Sequence, residues 1–234
     1  MRRSAISIWP TADYAASAAD AICALIRTAI TARGSCSVAL SGGNTPAPVY
    51  RALARSPDLS WPNVAIFFGD ERAVPPTDPA SNFRMASESL LDQVPLSANQ
   101  VHRMEAERPD RDAAAAAYAA ILPDRFDLML LGLGDDGHTA SLFPHAPTLT
   151  ERLLRVVPAA GPTPPVHRLT VTPPVLAAAR ATVVLVTGPD KAAMVARVLE
   201  GPDIPDTLPA QLVRGGAWFL DDTAASMLRT KDGH

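Results

Sequence analysis

The stretch Ser37-Val38-Ala39-Leu40-Ser41-Gly42-Gly43-Asn44-Thr45-Pro46 decides the fold of this 234-residue chain. Its first four residues are a mostly apolar run of the length of a short buried strand, and a glycine turn follows directly. Pro46 suits the first position of a helix, which we expect to extend to about Arg55. The order strand, glycine turn, helix is typical of an α/β fold.

The same alternation recurs along the chain. Further apolar runs predict strands at Val64–Phe68, Phe126–Leu131, Leu169–Thr172 and Thr182–Val186. Helical spacing predicts helices at Thr11–Arg33, Asn82–Gln93, Asp112–Leu122 and Lys191–Leu199. We therefore predict one domain over residues 1–234, with a mostly parallel, Rossmann-like sheet and helices on both faces. The Pro-rich stretch 161–165 is expected to be a surface connection between strands of one sheet.

Composition limits the partners of the chain. A formal net charge of -3 argues against sequence-independent binding of nucleic acid, so an anionic substrate would need a local positive patch. Cys23 and Cys36 lie in apolar patterns and are expected to be buried thiols, not a disulfide. The pair Arg2-Arg3 resembles the start of an export signal, but Pro10 follows too soon. We expect no apolar run of membrane-spanning length, no membrane partner and a cytoplasmic location.

Two sets of residues are candidates for binding a phosphate. In Ser41-Gly42-Gly43-Asn44-Thr45 the glycines let the backbone approach a ligand, and the next helix directs its free N–H groups outward. A plain strand-to-helix turn is the alternative, and no Walker lysine follows. Arg168 opens a predicted strand and Lys191 begins a predicted helix. Each could be an ordinary surface cation, but together with the glycine turn they could form one phosphate pocket.

A charged triplet, Asp70-Glu71-Arg72, follows the predicted strand Val64–Phe68 and Gly69. An acidic pair beside an arginine can handle protons and fix an anion. The alternative is a solvated loop whose charges pair with each other. The position at a strand end favours a functional site, because ligands of open α/β sheets bind beyond the carboxyl ends of the strands.

Gly132, Gly134 and Gly137 formally match the dinucleotide fingerprint Gly-x-Gly-x-x-Gly. Asp135 and Asp136 would then lie inside the turn that has to face a pyrophosphate. No strand ending in an acidic residue is evident at the usual distance beyond. We therefore reject a dinucleotide site on grounds of charge.

The residue of that loop best suited to catalysis is His138. An imidazole ordinarily titrates near neutral pH, and His138 lies next to carboxylates and before a predicted helix start at Thr139–Leu142. A zinc site made by Asp136, His138 and His145 is a weaker alternative, because the spacing matches no helical His-x-x-x-His pattern and Pro144 intervenes.

These motifs resemble the 6-phosphogluconolactonase family and, more distantly, glucosamine-6-phosphate deaminase of the same superfamily. The resemblance runs nearly the length of the chain, and its segments are Ala39–Pro46, Phe68–Arg72 with Val74–Pro76 and Ser81–Met85, Gly132–Pro144, His167–Thr170 and Gly188–Ala192. The deaminase branch carries an acidic residue after the histidine that helps to open the sugar ring. Here Ser141-Leu142-Phe143-Pro144 occupies that region, which favours the lactonase.

The resemblance implies a deaminase-like fold and hydrolysis of 6-phosphogluconolactone in the oxidative pentose phosphate pathway, without a metal or organic cofactor. His138 would be the general base on water, Asp136 would orient or charge its ring, and Asp70 would contact the sugar or assist proton movement. The remaining substrate contacts would come from Ser41, Gly42, Gly43, Asn44, Thr45, Arg72, Arg168 and Lys191. We expect a small sugar phosphate as the partner, and a monomer or small homo-oligomer.

Three other functions stay open at this point. An amino-sugar phosphate deaminase or isomerase would release ammonia from glucosamine 6-phosphate. A non-catalytic sugar-phosphate sensor usually carries a DNA-binding segment, which we do not expect before Thr11 or after Lys231. The third alternative is an enzyme that uses a dinucleotide cofactor, and tight binding of such a cofactor would support it.

Overall fold

The structure is a computed structural model that describes residues 4–57 and 59–229. Its strands are β1 (Ala5–Trp9), β2 (Cys36–Leu40), β3 (Val64–Phe68), β4 (Asp70–Arg72), β5 (Leu128–Gly132), β6 (Val156–Ala160), β7 (His167–Val171), β8 (Thr182–Val186) and β9 (Ala217–Asp221). Its α-helices are α1 (Tyr14–Arg33), α2 (Pro46–Ala54), α3 (Asn82–Ser89), α4 (Arg111–Ile121), α5 (Pro173–Ala178) and α6 (Ala192–Glu200).

The central sheet has six strands in the order β1-β9-β8-β5-β2-β3, and all of its pairings are parallel. Consecutive residues are buried in β5 (128–131) and β8 (183–186). Because successive side chains of a strand point to opposite faces, such runs mean that both faces are covered. The predicted mostly parallel α/β sheet is confirmed.

A second, three-stranded sheet lies beside the first in the order β4-β7-β6 and is antiparallel. The strand predicted at Leu169–Thr172 belongs to this sheet as β7, so its assignment to the parallel sheet was wrong. The Pro-rich stretch 161–165 connects β6 to β7 and is mostly exposed. It is a surface connection as predicted, but the strand before it is β6, which the sequence analysis missed.

Element boundaries otherwise differ by a few residues from the prediction. The strands at Val64–Phe68 and Thr182–Val186 match, and α2 begins at Pro46 as expected. The helix predicted to run to Gln93 ends at Ser89, where a separate 3-10 turn follows. Strands β1 and β9 pair with each other at the sheet edge and were not predicted. Neither strand has a glycine turn after it to mark its end.

Helix α1 is long and apolar enough, by length and composition, to cross a membrane. The expectation that no such run exists was therefore wrong. In the folded chain one side of α1 is buried in the core, and its buried residues recur at helical spacing: Tyr14, Ala18, Ala19, Ile22, Cys23, Ile26 and Ala29. Cys23 and Cys36 are both buried and not joined to each other, as predicted. The pair Arg2-Arg3 lies outside the described residues.

The parallel sheet determines where polar residues can meet. The carboxyl ends of β2, β3, β5 and β8 lie at one edge of the sheet, and the antiparallel sheet continues from that edge because β4 follows β3 after the single residue Gly69. The backbone N–H of Gly69 donates to Leu40 O (2.9 Å), and its carbonyl accepts from Val171 N (2.9 Å). Gly69 therefore joins the two sheets at this edge.

Candidate active site

A pocket of about 260 Å³ opens at the carboxyl edge of the parallel sheet. Segments after β2, β3, β5 and β8 contribute to it, together with β7 and α3. Its lining includes these predicted site residues: Ser41, Gly42, Gly43, Asn44, Thr45, Asp70, Arg72, His138, Arg168 and Lys191. Asp136 is the remaining predicted residue, and it lies behind His138. The structure thus brings together groups that are up to 150 residues apart in the sequence.

The glycine turn after β2 forms one wall through its backbone. A Cβ on Gly42 would lie 1.8 Å from Asn82 Oδ1, so any other residue would displace that side chain. Gly43 has a φ of +104°, which favours glycine. The OH group of Tyr50, on α2, contacts both the N–H and the carbonyl of Ser41 at 3.0 Å and so fixes the turn. The Ser41 hydroxyl is buried without a hydrogen-bond partner in residues 4–57 and 59–229, which leaves it available to a ligand.

The charged triplet after β3 is a short strand, β4, and not the solvated loop that was its alternative. Strand alternation places Asp70 and Arg72 on the pocket side and Glu71 on the other. Glu71 is buried, and its carboxylate accepts the backbone N–H groups of Asn82 and Phe83, both at 2.8 Å. Burial raises the pKa of Glu71, although these hydrogen bonds oppose the rise. Glu71 therefore attaches the start of α3 to β4.

Two residues that were not predicted as site residues hold Asp70 in place. The hydroxyl of Ser141 donates to Asp70 Oδ2 at 2.6 Å, and Asn82 Nδ2 donates to the Asp70 carbonyl at 2.9 Å. Asp70, Ser141 and Asn82 are all buried. Asn82 also lines the pocket, and its Oδ1 has no partner in the described chain. Its position as the first residue of a predicted helix, shortly after the charged triplet, was the signal that could have identified it.

Arg168 and Arg72 lie opposite each other on β7 and β4. Arg168 is only 8% exposed, and burial together with the charge of Arg72 lowers its pKa, while Asp70 and Glu71 act in the other direction. The Nε of each arginine is buried without a hydrogen-bond partner among the residues described. Two adjacent guanidinium groups with unsatisfied donors favour a ligand that carries negative charge.

Lys191 lies at the N-terminus of α6 and lines the pocket. Its Nζ donates to the carbonyl of Leu133 at 3.0 Å and forms an ion pair with Asp135. Asp135 is largely exposed to solvent. The loop after β5 therefore holds the lysine at the rim of the pocket, where the charge can meet a ligand together with the free N–H groups of the helix.

His138 is oriented by its own loop. Its Nδ1 lies 2.6 Å from Asp136 Oδ1, which also accepts the His138 backbone N–H at 3.0 Å. Burial raises the pKa of the Asp136 carboxyl, but these hydrogen bonds and the neighbouring imidazole outweigh burial and hold its pKa below the usual value. A Cβ on Gly134 would lie 2.0 Å from His138 Nδ1, so glycine is needed there. With Nδ1 facing Asp136, Nε2 is the ring nitrogen left for the pocket.

The segment after His138 is not the helix that was predicted. Thr139 and Leu142 form an isolated β-bridge, and Ala140 adopts a φ of +49°. This tight turn points the Ser141 side chain inward to Asp70. His145, the third residue of the zinc alternative, pairs with Asp206 at 2.6 Å on the exposed surface. His138 and His145 thus have different carboxylate partners.

Fold and pocket together define an α/β protein whose pocket combines two arginines and a lysine with a histidine that is paired to an aspartate. The chain belongs to the family of glucosamine-6-phosphate isomerases/6-phosphogluconolactonase, which it matches over residues 10–220. It is 41% identical over 219 residues to 6-phosphogluconolactonase from Synechocystis, an alignment that covers 87% of this chain and 89% of that protein.

Solved structures with the names of this family have a similar fold. The crystal structure of 6-phosphogluconolactonase from Thermotoga maritima matches with a TM-score of 0.85 at 29% identity, covering 94% of this chain and all of that one. A monomeric glucosamine-6-phosphate deaminase has a TM-score of 0.82 at 22% identity, covering 95% of this chain and 99% of that one. The second similarity concerns the fold alone, and it confirms the predicted likeness to the deaminase fold.

Proposed function

We propose that the chain hydrolyses 6-phospho-D-glucono-1,5-lactone to 6-phosphogluconate, the second step of the oxidative pentose phosphate pathway. The observation that carries this proposal is the placement of the His138–Asp136 pair in the same pocket as two arginines with unsatisfied donors. A histidine paired to a carboxylate suits activation of water, and the arginines suit an anion. The lactonase names of the relatives support the same reaction.

The phosphate of the substrate binds Arg168, Lys191 and the turn Ser41–Thr45. These groups offer guanidinium, ammonium, hydroxyl and backbone N–H donors around one cavity. Binding energy from the phosphate then fixes the lactone carbonyl several bonds away, so that the phosphate contributes to the rate as well as to affinity.

Nε2 of His138 removes a proton from water, and the resulting hydroxide attacks the lactone carbonyl carbon. Asp136 stabilises the imidazolium that forms. Arg72 stabilises the negative charge on the carbonyl oxygen. The tetrahedral intermediate collapses by breaking the bond to the ring oxygen, which takes up a proton from the imidazolium, with Asp70 assisting the transfer. The products are a free hydroxyl group and a carboxylic acid, which ionises to the carboxylate and releases one proton to solvent, and no covalent enzyme intermediate forms.

We propose further that this reaction takes place in the cytoplasm, that it needs no metal or organic cofactor, and that the sugar phosphate is the partner of the site. Neither nucleic acid nor a membrane is a partner, and the chain acts as a monomer or small homo-oligomer. The formal net charge of -3 and the position in the pocket of Arg72 and Arg168, whose Nε atoms have no partner in the described residues, support a small anionic ligand.

The test measures acid release from freshly generated 6-phosphogluconolactone with enzyme, without enzyme, and with enzyme plus chelator. We expect acceleration over the blank that survives the chelator. In parallel, ammonia release from glucosamine 6-phosphate is measured with the same preparation, and none is expected. A rate equal to the blank would reject the lactonase, ammonia release would favour the deaminase, and loss of activity with chelator would reject metal-free chemistry.

A further inference from the structure

The aromatic ring of Phe143 lies between the two halves of the site. Its centroid is 4.5 Å from that of the His138 ring, at an interplanar angle of 49°, and Cζ of Arg168 lies over the Phe143 ring at 5.7 Å from the same centroid. Phe143 is 6% exposed and is not among the residues that line the pocket. It contacts the general base and a phosphate-binding arginine without reaching the substrate.

The β6–β7 connection is shaped to admit this arrangement. A Cβ on Gly161 would lie 2.7 Å from Arg168 Nε and 3.2 Å from Phe143 Cζ. Gly161 therefore leaves room for the guanidinium and the ring together. The backbone carbonyl of Phe143 also accepts the N–H of Ala146 at 3.1 Å, which fixes the residue at the end of the turn after His138.

Both neighbours of the ring carry positive charge during the proposed reaction. Arg168 is a cation throughout, and its buried Nε has no other partner in the described parts of the chain. His138 becomes a cation when it removes the proton from water. An aromatic face attracts a cation within about 6 Å of its centroid, and the attraction is stronger when the pair is buried. A single ring thus restrains two groups that belong to different segments and perform different tasks.

We propose that Phe143 is a positioning residue that fixes the positions of His138 and Arg168 relative to each other. The same ring then supports the residue that activates water and a residue that binds the phosphate. The inference rests on the proposed lactonase reaction for the His138 half, while the Arg168 half requires only that the pocket binds a sugar phosphate. Phe143 acts through these two residues and not through contact with the substrate.

The experiment compares Phe143→Leu and Phe143→Met with the unsubstituted enzyme. Both substitutions keep an apolar side chain and remove the aromatic face. We expect kcat for the lactone to fall by about 3- to 10-fold and the Kd for 6-phosphogluconate, measured by calorimetry, to rise by a similar factor. Thermal unfolding is followed for each variant. If both variants lost their fold, the ring would be a structural residue and the proposal would be overturned.

Double substitutions separate positioning from a general loss of packing. In the Arg168→Ala background, Phe143→Leu should no longer change Kd but should still lower kcat. In the His138→Asn background it should no longer change the residual rate but should still raise Kd. Undiminished effects of Phe143→Leu in both backgrounds would overturn the proposal. If the unsubstituted enzyme failed to hydrolyse the lactone, the proposed function would fail, and the Kd measurements would still decide the Arg168 half.

Discussion

Two histidines, seven residues apart in one loop, each pair with an aspartate at 2.6 Å. His138 lines the pocket with its partner Asp136 behind it, and the histidine side chain is 30% exposed and lies against Phe143 and Gly134. The His145–Asp206 pair is on the surface, with the two side chains 67% and 68% exposed. The ion-pair distance is therefore no guide to function. What distinguishes the pairs is the surroundings, since only the first has a restrained ring that faces a pocket.

Exchanging the imidazole for an amide tests this difference directly. His138→Asn should lower kcat by about 10²–10⁴-fold, because the general base is lost. His145→Asn is the matched control and should leave kcat unchanged, and asparagine tolerates the positive φ of +59° at that position. Steady-state rates of acid release measure both. Equal losses in the two variants would contradict the assignment of the base.

The position of the His138 ring can be changed while the imidazole itself is kept. Gly134→Ala would place a methyl group 2.0 Å from His138 Nδ1 and force the imidazole to move. We expect kcat to fall by about 10²-fold, as misplacement of a catalytic group by about 1 Å can do. Gly69→Ala is the control, since its Cβ would meet nothing closer than 3.7 Å. A fully active Gly134→Ala variant would show that the position of the ring is not critical.

At the Lys191 contact with the loop after β5, Lys191→Ala should mainly weaken binding. Loss of one charge-assisted contact to phosphate is expected to raise KM by about 10-fold, with a smaller effect on kcat. Substrate-concentration curves for the two enzymes separate these constants. Abolished turnover with unchanged affinity would show that Lys191 acts in the chemical step instead.

The smallest expected difference between the two His–Asp pairs is their contribution to the stability of the fold at acid pH. Asp136 has a lowered pKa in the folded chain, so its carboxylate stabilises the fold above the ordinary aspartate pKa. That stability is lost as the pH falls through the lower, folded-state value. Urea unfolding at neutral pH and at successively lower pH should show a weaker acid dependence for Asp136→Asn. Asp206→Asn, at the solvent-exposed pair, should follow the unsubstituted protein.

The sequence predicted the strands that are followed by glycine turns, and with them the edge of the sheet where the pocket lies. It did not predict the antiparallel sheet, because β4 consists of three charged residues and β7 reads like a parallel strand. The groups now found lining one pocket were predicted because each follows a strand end. The hydrogen bond from Ser141 to Asp70 and the contact of Phe143 with Arg168 were not predictable, since each joins segments that are far apart in the sequence.

Lys191 Nζ contacts the exposed carboxylate of Asp135 and the carbonyl of Leu133. An ammonium group has three N–H donors, so one remains for a ligand while both contacts persist. If Lys191 binds the phosphate as proposed, the phosphate lies near a second negative charge, and the repulsion from Asp135 offsets part of the attraction to the lysine. Because Asp135 is exposed, salt screens this repulsion, so the affinity for a phosphorylated ligand reflects the neighbouring carboxylate as well as the lysine.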